Sequence, residues 1–108
     1  MNTTVVQSST QRFQNYRQKE RVVFASIAGM AELSQAKDES QLSQLCVRYP
    51  DAAFAQMIAS NLFCPNRELN TIYLRAYQAI LEGESIDAVR FRFNKELDTH
   101  WTNHMWDD

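Results

Sequence analysis

The chain has 108 residues and a formal net charge of −2, with 11 Lys and Arg against 13 Asp and Glu. That length carries a hydrophobic core without help from disulfides or metal, and the near balance of charge excludes attraction to nucleic acid or an anionic membrane by net charge alone. Two glycines and two prolines leave few turns, and the wealth of Ala, Gln, Leu, Arg and Glu favours helices over strands.

In chain order, residues 1–8 are polar and β-branched without a period, which predicts a flexible N-terminus. A single helical domain is expected over residues 9–108. A first helix starts at Ser9 or Thr10, each able to cap with its hydroxyl. Phe13, Tyr16, Val23, Phe24, Ile27, Met30, Ala31 and Leu33 then recur at helical spacing. Gly29 lies inside this run, where its missing side chain lets another helix come close. The stretch "QAKDESQL" breaks the pattern. Asp38 with Gln41 forms a weak capping box for a second helix, whose apolar face is Leu42, Leu45 and Cys46.

Tyr49 before Pro50 is pushed out of the helical region. Pro50 suits the first turn of a third helix, with Asp51 near its positive end. Phe54, Met57, Ile58 and Leu62 form its inner face. After Pro65, a fourth helix carries Leu69, Ile72, Tyr73, Ala76, Tyr77, Ile80 and Leu81, and Gly83 stops it. Ser85 caps a fifth, which runs through Ile86, Val89, Phe93, Leu97 and His100 or Trp101. Within it "VRFRFN" alternates as a strand would, but a lone short strand has no partner, so the expectation stays helical. The fold predicted is all-α, a compact bundle of about five helices. Its main core comes from the first and last two, with helices two and three as shorter braces.

Cys46 and Cys64 form no CxxC pair and sit among apolar neighbours, as free thiols in a reducing cytosol do. The start "MNTTVVQSSTQRF" has no charged segment followed by a long apolar run, so no secretory signal is expected. No run of apolar residues is long enough for a membrane span. A cytoplasmic location follows from these expectations.

His100 and His104 are i and i+4, so both imidazoles leave one side of a helix. Zinc uses that geometry, and Asp98 or Asp107 could add an oxygen. Two ligands do not close a tetrahedral site, there is no HExxH, and no cysteine lies near in sequence. The expectation is therefore no metal and no cofactor, with one histidine packed and the other solvated. Trp101 and Trp106, five apart, cannot fully share one helical face, so one can enter the core while the other is left near the surface. Catalysis finds no support: GxSxG, HExxH and a glycine-rich phosphate loop are all missing from the sequence. A groove lined by Tyr73 and Tyr77 is a sharper alternative to their default place at the edge of the core.

Charge is uneven, at +2 over residues 1–36 and −3 over residues 69–108. The acidic end gathers Glu96, Asp98, Asp107 and Asp108 around Trp106, a plausible set for contacting a protein partner. The basic end gathers Arg12, Arg17, Lys19 and Arg21 between Phe13 and Tyr16, an alternative set for DNA phosphates. The turn "RYP" lacks the glycine of a helix-turn-helix, and "DAAFAQMIASNLF" has few base-reading side chains.

The segments "YPDAAFAQMIASN", "AYQAILEGES" and "FNKELDTHWTNHMWDD" together resemble a pattern in small uncharacterised helical proteins of bacterial phages and other mobile elements. The resemblance covers residues 49–108 and rests on Tyr49-Pro50, the Gly83-Glu84 turn and the Trp- and His-bearing end. It implies a lifestyle of binding and blocking a host protein, CRISPR effectors included, and carries over no catalytic residues. The expected function is a non-enzymatic, cytoplasmic inhibitor or regulator that binds a larger host protein or nucleoprotein complex, not a membrane. Where that target binds nucleic acid, the acidic side chains stand in for phosphates. A DNA-binding regulator using the basic first helix is the alternative, and a homodimer through Gly29 and exposed aromatics is a third reading.

Overall fold

A computed structural model describes residues 9–104, with side chains from Asn15 onward. Six helices account for most of them: α1 (Ser9–Ala25), α2 (Met30–Ser34), α3 (Glu39–Arg48), α4 (Pro50–Ser60), α5 (Arg67–Leu81) and α6 (Ile86–His104). The bundle is all-α, with no strand among the described residues. "VRFRFN" lies wholly within α6.

The predicted first helix is two helices. Gly29 has φ +90°, in the left-handed region where only glycine is comfortable, and it is the N-cap of α2, after a turn that follows the end of α1 at Ala25. A Cβ built on Gly29 would fall inside the Tyr49 side chain. The close approach expected at Gly29 therefore exists. It is made by the Tyr49 ring, and that leaves no room there for a second copy of the chain.

Local capping follows the sequence closely. Asp38 Oδ1 accepts from Gln41 N at 2.8 Å, and Gln41 Oε1 accepts from Lys37 N, one residue before the cap, at 2.9 Å, so the two side chains bracket the start of α3. Tyr49 is the C-cap of α3 and the N-cap of α4, with Pro50 in the first turn of α4. Asn66 caps α5 by accepting from Leu69 N at 2.9 Å. Asn70 reaches back to accept from Cys64 N at 3.0 Å and so ties down the preceding loop.

The core is centred differently from the expectation. α4 is no brace, since it buries Ala52, Phe54, Ala55, Ile58 and Ala59 and touches α2, α3, α5 and α6. Its alanines are the reason. A helix with methyl groups on several sides can be enclosed on all of them without steric conflict. From α1, by contrast, Phe24 is the fully buried residue among those with described side chains, and Tyr16 and Val23 pack at the margin. α5 and α6 form the most extensive helix pair, antiparallel across the turn at Gly83.

Tyr77 on α5 holds α1 in place. Its ring is 1% exposed and meets Tyr16 and Phe24 edge-on, at centroid separations of 6.3 and 6.5 Å. Its hydroxyl donates to Glu20 Oε1 at 2.7 Å. Tyr77 is thus a core residue and lines no open groove with Tyr73, which lies against Phe93. Burial first, and then the Glu20 carboxylate, push the phenol pKa well above its ordinary value. A raised phenol pKa contributes stability that is present below the ordinary value of about 10 and is lost as pH rises beyond it. Tyr77→Phe is expected to lower stability at neutral pH by about 1–3 kcal/mol, read as a shift in the urea midpoint. It should also leave the tyrosinate absorbance reached before alkaline unfolding unchanged.

Candidate functional site

The end of the α5–α6 pair remote from Gly83 gathers the chain's two histidines. α6 is long enough to put His100 and His104 one above the other near its final turn, with ring centroids 4.5 Å apart. α5 runs the opposite way, so its first turn lies beside them. Glu68 stands in that turn, where the positive end of the helix favours a carboxylate. One oxygen, Glu68 Oε1, is shared: His100 Nδ1 is in direct contact with it, and His104 Nε2 is 3.0 Å away. With the carboxylate ionised, both ring nitrogens can act as N–H donors to it. The His100 contact first, then the His104 contact, hold the Glu68 carboxyl below the usual carboxylate range.

Burial divides the cluster. His100 is 5% exposed, whereas His104 and Glu68 are in solvent. The Trp101 ring meets His100 edge-on at 5.0 Å. Beside the cluster lies a cleft of about 400 Å³, lined among others by Glu68, Thr71, Thr99, His100 and Asn103. Glu68, His100 and His104 each bring a ligating atom, all within 4.8 Å of one another.

One packed and one solvated histidine is what the sequence predicts. The shared carboxylate from α5 is not. Asp98, the nearby oxygen considered from sequence, is two residues from His100 and so leaves the other side of the helix. Asp107 lies outside the described residues, as do Trp106 and Asp108. Nothing in the local pattern singles out Glu68, which is 32 residues from His100 in sequence. The antiparallel α5–α6 pairing could have found it, since the first turn of one helix must then meet the last turn of the other.

Of the acidic partner-binding set, Glu96 and Asp98 are among the described residues. Glu96 is not an open carboxylate, because it is half-buried and ion-paired with Arg75 across α5 and α6. Asp98 is exposed. It shares a face with Phe91, Asn94 and Trp101, at the i, i+3, i+7, i+10 spacing that runs along one side of a helix. Phe91 is 67% and Trp101 55% exposed. This stripe points away from the core face of Val89, Phe93 and His100. Trp101 is therefore the near-surface tryptophan among the described residues.

Of the basic set, Arg17, Lys19 and Arg21 have described side chains. The Arg12 side chain lies outside those described. Arg17 is half-buried and engaged within the fold: Nη1 pairs with Glu20 at 2.5 Å, and the guanidinium carbon lies 5.9 Å from the Tyr77 ring centroid. Lys19 and Arg21 are exposed.

Comparison of the chain with protein-family models, with curated proteins and with solved structures finds no match to any of them. No described helix is long and apolar enough to cross a membrane.

Proposed function

We propose that this protein is a non-enzymatic binding protein that works by covering a basic surface on a larger partner. Such a surface is found on nucleic-acid-handling complexes, and a host defence nuclease such as a CRISPR effector is the target class that the resemblance over residues 49–108 favours. The proposal includes a phage or mobile-element origin and a cytoplasmic site of action, where Cys46 and Cys64 stay free thiols.

One observation carries the reading. Phe91 and Trp101 are large, exposed aromatics about 15 Å apart along one face of α6, with Asp98 between them. Aromatic anchors flanked by charge are the composition of a protein-binding hot spot. The carboxylate selects a cationic partner. The basic first helix supports DNA binding less well, since Arg17 is committed to Glu20 and Tyr77.

The test is affinity capture from bacterial lysate, with the captured protein identified and its binding then measured directly. Phe91→Ala and Trp101→Ala should each leave the circular-dichroism melt close to wild type, because both side chains are exposed. Trp101→Ala should weaken binding by about 30-fold, the scale of a hot-spot tryptophan. Asp98→Lys should also weaken it, chiefly by slowing association at low salt. If the double variant Phe91→Ala/Trp101→Ala keeps wild-type affinity, this face is not the contact.

A further inference from the structure

The geometry points to a transition-metal site, best suited to Zn²⁺, formed by Glu68, His100 and His104. This goes beyond the binding reading and does not depend on it. Three kinds of observation support it.

The first is donor chemistry. Two neutral imidazole nitrogens and one carboxylate oxygen are a ligand set that zinc takes, leaving a fourth position for water. The second is spacing. Tetrahedral zinc with bonds near 2.0–2.1 Å needs ligand atoms about 3.3 Å from each other. The ligating atoms of Glu68, His100 and His104 already lie within 4.8 Å of one another, close to that spacing. The third is support. Both histidines sit on one helix and the carboxylate on its antiparallel neighbour, so the ligands come from rigid elements and not from loops. His100 is buried in the α5–α6 pair, which fixes one ligand. Glu68 and His104 are exposed and give an ion a way in.

Bound there, the ion would replace the shared hydrogen-bond contact at Glu68 Oε1 and join the first turn of α5 to the last described turn of α6. The cleft that Glu68 and His100 line gives solvent access to the fourth position.

The experiment uses the untagged full chain, stripped with chelator and titrated with Co²⁺ as a spectroscopic substitute for zinc. The expected result is visible d–d absorption that saturates at one equivalent, with no thiolate-to-cobalt band in the near ultraviolet, and is bleached by Zn²⁺. Zn²⁺ should raise the melting temperature of the wild type. His104→Ala and Glu68→Gln alter exposed side chains and should stay folded by circular dichroism. Each should weaken Co²⁺ binding by at least about 100-fold and abolish the Zn²⁺-dependent rise in melting temperature. Absent d–d bands, a thiolate band showing ligation by Cys46 or Cys64, or undiminished binding in both folded variants would each overturn the site. The cluster would then be a hydrogen-bonded strut between two helices.

Discussion

Phe93→Ala is expected to lower the stability of this protein by about 3–5 kcal/mol, the range for emptying an aromatic site in a packed core. Phe93 is 4% exposed and lies where three helices meet. Its ring stands edge-on to Phe54 of α4 at 5.5 Å and tilted against Tyr73 of α5 at 5.4 Å. Removing it leaves a cavity and deletes two aromatic pairs, each worth about 0.5–1.5 kcal/mol beyond simple burial. Domains of this size are stable by roughly 5–15 kcal/mol, so the variant loses a large share of the total. Urea unfolding with an unchanged slope would show the loss as a lower midpoint. Phe91→Ala, the same change two residues along α6 on the solvent face, should fall within about 0.5 kcal/mol of wild type. Similar midpoints for the two variants would mean that α6 seats in a different register. The comparison bears on function too, because the register of α6 brings His100 and His104 to Glu68 and turns Trp101 outward.

Gly29→Ala should cost about 3 kcal/mol or more, while Gly83→Ala costs about 1–2 kcal/mol. Both glycines are left-handed, with φ +90° and +85°, so both variants carry the conformational penalty of an L side chain. They differ in surroundings. A Cβ on Gly83 meets no heavy atom within 4 Å, whereas one on Gly29 runs into the first atoms of the Tyr49 side chain. Tyr49 cannot swing away cheaply. Its N–H donates to Leu45 O at 2.8 Å and its carbonyl accepts from Ala53 N at 3.0 Å, so it is fixed into the end of α3 and the start of α4. Thermal melts of the two variants side by side separate the terms. Equal shifts would show that Tyr49 yields and that crowding at Gly29 has no energetic weight.

Much of the fold was legible because its signals are local. The Asp38–Gln41 box, Pro50, Gly83 and the three-four spacing from Leu69 to Leu81 each act within a turn or two of chain, and each marks an element that forms. The split between α1 and α2 was missed because periodicity carries through Gly29 almost unbroken, while the break depends on a ring that arrives from 20 residues later. The central place of α4 was missed for a related reason. Counting large apolar residues undervalues Ala52, Ala55 and Ala59, whose contribution is to let neighbours approach. The site followed the same division. The i,i+4 histidines are plain in the sequence, but Glu68 is one of 13 acidic residues until the helices are paired. Glu96 looks like an available charge until Arg75 is found opposite it.

The junction at Tyr49 also limits how the length of this chain can change. α3 ends at Arg48 and α4 begins at Pro50, so one residue serves both helices and no slack lies between them. An insertion there would turn α4 by about 100° relative to α3 and carry every one of its alanines off the surface it packs against. The connections 35–38 and 61–66 are longer and mostly exposed, with Asp38 and Asn66 within them fixed as helix caps. Insertions and deletions in related chains are therefore expected to collect in those two connections, and position 49 is expected to keep its count.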